Sequence, residues 1–199
     1  PAEGNPDNMS PLAMVTTRLE EILGLLSDIQ RKNAPSLLYA RGDLDLLGKT
    51  VRVSVVGSRR PSEPGVKRTG ALVRFLVNHE IVVVSGLAEG IDRAAHTTAI
   101  AVGGRTIAVL GTPIDRVYPS AHAALQEAIA SDHLIVSEFP PGSPVARGNF
   151  PRRNRTMALL SHATVIVEAG DSSGTLHQGW EALRLGRPVS IKPLRQRCS

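Results

Sequence analysis

Four short stretches of this 199-residue chain gather side chains suited to holding an anion. Gly57-Ser58-Arg59-Arg60-Pro61 joins a small residue and a hydroxyl to two guanidinium groups. Phe150-Pro151-Arg152-Arg153-Asn154-Arg155 places three arginines and an asparagine within six residues. Ser85-Gly86, with Gly90 and Asp92 after it, forms a small-residue turn. Glu168 is followed by a Ser/Gly stretch ending in Ser173-Gly174-Thr175. Guanidinium groups bind phosphate or carboxylate bidentately, and backbone amides at a helix start add a cradle for the same charge. The chemistry these residues offer is binding of a phosphate-bearing ligand.

Three of these stretches directly follow apolar β-type runs: Val51–Val56, Ile81–Ser85 and Thr164–Glu168. Further runs occur at Thr106–Leu110, Leu134–Ser137 and Pro188–Lys192. Helical patterns at Gly65–His79, Ile91–Val102, Ala121–Ser131 and Leu176–Leu185 separate most of them. Alternation of this kind specifies an α/β fold, a doubly wound and mostly parallel sheet flanked by helices. In such sheets ligands bind outside the carboxyl ends of the strands, where the small and basic residues collect here. The arginine cluster at 150–155 is read as following a loop from Glu138 to Asn149 and immediately preceding a short helix at Thr156–Ser161. Near the start, Thr17-Arg18-Leu19-Glu20 has capping-box form. It opens an amphipathic helix with Leu19, Ile22, Leu23, Leu26 and Ile29 on one face, which must dock on its own domain or on a second copy. The expected organisation is a mobile N-terminus with this helix over 1–33, a Rossmann-like domain over 34–192 and a tail over 193–199.

Composition narrows the ligand. The net charge is +5 and the isoelectric point about 10.0, which favours a polyanion. Aromatic residues are 3% of the chain, against a face built from rows of stacked bases. The single cysteine, Cys198, allows no internal disulfide. No apolar run reaches the roughly 20 residues needed to span a membrane, and no signal-peptide pattern opens the chain; a cytoplasmic protein without cofactor or metal is expected. Each motif keeps a plain alternative. Arg59 and Arg60 are phosphate contacts or solvated turn residues, and Arg152, Arg153 and Arg155 are contacts or a solvated face. Asp92 caps amides or fixes an arginine. Phe150 stacks on a base or anchors its loop. Trp180 reads as a packing residue of its helix, and His96 as a helix-packing histidine.

Taken together, the motifs resemble the DNA-processing protein A (DprA/Smf) family. The matching residues are Val55-Val56-Gly57-Ser58-Arg59-Arg60-Pro61, Ser85-Gly86-Leu87-Ala88, Gly90-Ile91-Asp92, Gly104–Gly111, Asp115–Pro119, Ser137–Gly142, Phe150–Arg155, Val167–Ala169 and Ser173-Gly174. The resemblance spans residues 34–192. It implies a Rossmann-like domain, related to phosphoribohydrolases of the cytokinin-activating type, that binds single-stranded DNA without catalysis. It also implies roles in DNA uptake, natural transformation and recombination, a homodimer, and a recombinase partner of RecA type. On that basis Arg59, Arg152, Arg153 and Arg155 hold phosphates, while Ser58, Ser85, Gly86, Asn154, Ser173 and Gly174 shape the pocket. Arg60, Gly57 and Thr175 belong to the same anion-binding set. The second reading is a nucleotide sensor or phosphoribohydrolase-like enzyme using the same cradle. Gln178 stands where that enzyme class has a glutamate, and an amide cannot act as a carboxylate base. Glu89, where the family commonly has arginine, and Thr175–Trp180 depart from the family pattern. Neither an N-terminal helical domain nor a C-terminal winged-helix-like domain, both common in the family, is expected within these residues.

Overall fold

The computed structural model describes residues 14–48, 50–169 and 174–191. In chain order the elements are β1 (Val15–Thr17), α1 (Leu19–Leu23), α2 (Asp28–Asn33), β2 (Leu38–Gly42), β3 (Arg52–Gly57), α3 (Glu63–Asn78), β4 (Val82–Ser85), α4 (Ile91–Ala101), β5 (Thr106–Leu110), α5 (Ala123–Asp132), β6 (Leu134–Ser137), α6 (Asn149–Leu160), β7 (Ala163–Glu168), α7 (Gly174–Arg184) and β8 (Val189–Ile191). They build one eight-stranded sheet of order β1-β2-β6-β5-β4-β3-β7-β8. The six strands from β6 to β8 run parallel, and β2 and β1 add an antiparallel edge.

Period-two alternation divides the core. Val53, Val55 and Val83 face the apolar sides of α3 and α4, and Ala108, Leu110 and Ile135 pack with Ile129 and Ala130 of α5. Val56, Val82, Val84, Ile107, Val109 and Val136 point to the opposite layer, with Met157–Leu160 of α6 and Ala182 of α7. Both faces of the parallel strands are covered, as helical crossovers require. From β3 the chain winds outward through β4, β5 and β6, then returns to place β7 on the other side of β3. The winding direction therefore reverses between β3 and β7. A crevice opens at such a reversal, beyond the carboxyl ends of the strands.

The N-terminal segment differs from the single amphipathic helix read from its periodicity. Gly24, at φ +72°, closes α1 after five residues, and Ser27 caps the separate α2 by accepting from the Gln30 amide. The first cap is shifted by one residue: the Arg18 amide and the Thr17 hydroxyl both donate to the Glu21 carboxylate. Leu19 and Leu26 still bury in the main core, with Ile22 and Leu23 against it, while Ile29 is exposed. These short helices dock on their own domain. The arginine-rich stretch 150–155 also lies elsewhere than expected. Instead of preceding a helix, it forms the first turns of α6, which starts at Asn149. Pro151 fits there because an amide in the first turn has no intrahelical acceptor to lose.

Candidate anion-binding cleft

A cleft of about 810 Å³ opens at the β3/β7 reversal. Its walls are the loop after β3 (Gly57, Ser58, Arg59, Arg60), the first turns of α6 (Phe150, Pro151, Arg153, Asn154, Met157) and the start of α7 (Gly174, Thr175, His177, Gln178); Val56, Ala88, Asp92, Tyr118 and Arg147 complete them. Among the described lining residues four arginines face one carboxylate, Asp92. Arg59, Arg60 and Arg147 are exposed. A smaller recess of about 100 Å³ adjoins it, also bounded by Arg59, Tyr118, Phe150 and Arg153.

The loop after β3 is held from below. Ser62 caps α3, accepting from the Gly65 amide at 3.1 Å. Its hydroxyl and amide both donate to Glu168, at 2.6 and 2.7 Å, and Arg68 donates to the same carboxylate at 2.9 Å. Burial pushes the Glu168 pKa upward, but the Ser62 bonds and the Arg68 charge outweigh it, and the net shift is downward. The carboxylate at the end of β7 is thus an internal brace and is absent from the cleft lining. Gly57 packs against Ile91, leaving no room for a Cβ. Gly90, at φ +78°, starts α4 immediately beneath the Ser58 and Arg59 carbonyls. A side chain there would be strained and would collide with that loop.

The turn after β4 is already filled. The Asp92 carboxylate accepts from the amides of Gly86 at 3.2 Å and Ala88 at 3.4 Å, so its own acid occupies the amide cradle. Burial raises the Asp92 pKa, opposed chiefly by the charge of Arg153. Ser85 is fully buried and donates to the Val55 carbonyl at 2.7 Å. Its hydroxyl lies beneath the cleft rather than in the crevice, because the strand reads inward at that position. Gly86 is the floor on which Arg153 lies: a Cβ there would overlap the guanidinium.

The arginines of α6 have three different fates, since successive helical residues point about 100° apart. Arg153 turns inward, 6% exposed, donating to the Val109 carbonyl at 2.9 Å and to Asn154 Oδ1 at 3.1 Å. Burial lowers its pKa, and the nearby Asp92 works against that shift. Arg152 faces out, pairing with Glu138 at 3.4 Å and lying over the Phe139 ring. Arg155 pairs with buried Glu181 at 3.0 Å on α7. Neither Arg152 nor Arg155 lines the cleft. Asn154 does, and its side-chain amide also donates to the Gly174 carbonyl at 3.3 Å, tying α6 to α7. Ser173 lies outside the described residues; Gly174 and Thr175 line the cleft.

Two cleft residues, Arg147 and Tyr118, were not marked as ligand contacts by the sequence. Arg147 sits alone in a Pro/Gly-rich loop. Tyr118 comes from the β5–α5 connection, its ring 5.6 Å from that of Phe150. The Arg59 guanidinium lies 5.9 Å from the Phe150 centroid. Phe150 is half-buried, resting on Gly111 with one side at the cleft, so it anchors and is presented at once. Trp180 is 66% exposed rather than packed, since Gly179 and Gln178 take the inward face of α7. His96 packs as expected, fully buried with Nδ1 2.7 Å from the Thr106 hydroxyl. No group of histidine, cysteine and carboxylate side chains suited to a metal occurs among the described residues.

Fold and site together define a doubly wound α/β domain with a basic cleft at its winding reversal. Comparison with known proteins makes this specific: the chain belongs to the DNA recombination-mediator protein A family, whose model matches residues 14–198. DNA processing protein DprA of Streptococcus pneumoniae is 46% identical over 161 residues, 81% of this chain and 56% of that protein. Protein Smf of a Synechocystis strain is 44% identical, over 80% of this chain and 41% of that protein. This chain therefore spans about half the length of these relatives. The X-ray structure of the S. pneumoniae protein superposes with a TM-score of 0.81 at 40% identity, over 93% of this chain and 65% of the other. A DprA structure from Helicobacter pylori, described for its single-stranded DNA binding mode, superposes with a TM-score of 0.79 at 32% identity, covering 92% and 82%. A molybdenum cofactor binding protein from Rippkaea orientalis, 20% identical with a TM-score of 0.53, shares the fold. Among the described residues no helix is long and apolar enough to cross a membrane.

Proposed function

We propose that this chain binds single-stranded DNA in the β3/β7 cleft, as a non-enzymatic accessory protein of DNA processing and recombination. The observation that carries this reading is the cleft itself, where four arginines meet one carboxylate beside the Tyr118–Phe150 ring pair. Exposed Arg59, Arg60 and Arg147 supply phosphate contacts at the rim. Arg153 and Asp92 set the shape of the floor, and Gly57, Ser58, Asn154, Gly174 and Thr175 line the path between. Phe150 and Tyr118 offer ring faces to one or two bases, so stacking is local and charge supplies most of the affinity. Family membership and the H. pylori relative support the same ligand. Cytoplasmic work on incoming DNA, and a recombinase partner of RecA type, belong to this proposal.

A homodimer is part of the reading as well. Leu176, Trp180 and Leu183 form an exposed apolar stripe along α7 at helical spacing, the kind of surface that protein contacts cover. Light scattering would show a dimer mass that Trp180→Glu halves; an unchanged mass would remove this stripe from the interface.

Binding is tested by fluorescence anisotropy with an oligothymidylate across a salt series. Three rim contacts give a slope of log affinity against log salt of about −2, at about 0.7 per phosphate for single strands. Absence of binding to any single strand at low salt would overturn the reading.

A further inference from the structure

Charge explains the rim of the cleft but not its floor. The most buried lining residues are Val56 and Met157, both apolar, and Gln178, which is 1% exposed. Among the described residues neither Oε1 nor Nε2 of Gln178 has a hydrogen-bond partner. A buried carboxamide with both ends unmade forfeits the hydrogen bonds it had to water, and side chains so placed in native proteins call for an explanation. His177 and Thr175, its neighbours on α7, line the same cleft. Sequence alone marked Gln178 as a departure from a glutamate-bearing enzyme loop; the structure places it among the residues that line the cleft.

Phosphate does not suit this floor. Its most buried residues are apolar or, in Gln178, neutral; the exposed arginines lie at the rim, and the buried guanidinium of Arg153 is already engaged by the Val109 carbonyl and Asn154. A nucleobase suits it well: flat apolar faces for Val56 and Met157, and an edge with adjacent donor and acceptor for the carboxamide. We propose that Gln178 reads the edge of one unpaired nucleobase inserted into the cleft. Nε2 donates to an exocyclic oxygen, and Oε1 accepts from the neighbouring ring N–H, as thymine presents through O4 and N3. Duplex DNA hides that edge, so the same contact discriminates single from double strands. The inference rests on the single-strand reading above when the base belongs to a strand. A free nucleotide would offer the same chemistry.

The test uses three oligomers of equal length: oligothymidylate, its N3-methylthymine counterpart and an abasic strand, each titrated against wild type and Gln178→Met. Wild type should bind thymine about tenfold more tightly than N3-methylthymine, the discrimination typical of a paired amide contact. Gln178→Met should erase that difference while keeping wild-type affinity for the abasic strand. Its melting temperature should equal or exceed that of wild type, because an unsatisfied amide has been replaced by an apolar side chain of similar size. Retained discrimination in Gln178→Met, or a lowered melting temperature, would overturn the proposal. If no strand binds to either protein, the single-strand reading fails by itself. Thermal shift with thymidine monophosphate and its N3-methyl analogue then decides: a Gln178-dependent shift for the unmethylated form keeps the base contact, and no shift ends it.

Discussion

Two arginine clusters that look alike in sequence are put to different uses. Arg59 and Arg60 lie on a loop with their charge exposed at the cleft, and no ion pair engages them among the described residues. Arg152, Arg153 and Arg155 lie on a helix, which distributes them among a pair with the buried Glu138 side chain, a buried prop and a pair with α7. A loop adjacent to the strand ends can aim consecutive side chains at one ligand. A helix cannot, because neighbouring residues diverge by about 100°. Counting basic residues thus measures potential for anion binding, and backbone geometry decides how much of it is available.

Arg153→Ala should separate prop from contact most sharply. It strands the Val109 carbonyl and leaves buried Asp92 without its compensating charge, a loss of about 3 kcal/mol or more in urea denaturation. A fully stable variant would instead place Arg153 among the ligand contacts alone. Gly86→Ala attacks the same arrangement from below by displacing the guanidinium; about 1–3 kcal/mol is expected from such overpacking. At the rim, Arg59→Ala should reduce single-strand affinity severalfold and lower the salt slope by about 0.7, with the melting temperature unchanged. Arg152→Ala should leave DNA affinity near wild type while lowering stability in urea denaturation by more than an exposed pair would, because the side chain of its partner Glu138 is buried and burial already raises that carboxyl's pKa.

Buried His96 gives a pH test of the interior. Burial, then the charges of His133 and Arg153, drives its pKa down to about 3. Because the folded value lies below the unfolded one, neutral His96 stabilises fully above about pH 6.5. That contribution is lost as pH falls from there toward 3, at up to about 1.4 kcal/mol per pH unit. Chemical denaturation across this range should show a shallower decline for His96→Gln.

The parallel strands, their helical layers and the cleft's place at the strand ends were legible because apolar runs and small-residue turns alternate regularly from Val51 onward. Gly57, Ser58, Arg59, Arg60, Asn154, Gly174 and Thr175 reached the cleft as the motifs suggested. Ser85 did not, because its hydroxyl finds the Val55 carbonyl one strand away, a partner visible only once β3 and β4 pair. Arg152 and Arg155 were drawn off by Glu138 and Glu181, 14 and 26 residues distant. Arg147 comes from a connection with no local pattern, and Tyr118 lay in a matched motif that gave it no role; only the convergence of loops at one sheet edge places them at the cleft. Gly24 was the local signal that divides the N-terminal helix, and hydrophobic spacing masked it.

The most direct measurement is the salt dependence of oligothymidylate binding for wild type, Arg59→Ala/Arg60→Ala and Arg152→Ala. The double variant is expected to lose about 1.4 from the slope, two contacts at about 0.7 each, while Arg152→Ala keeps the wild-type slope. Equal slopes for the double variant and wild type would contradict the assignment of the exposed loop as the anion-binding rim.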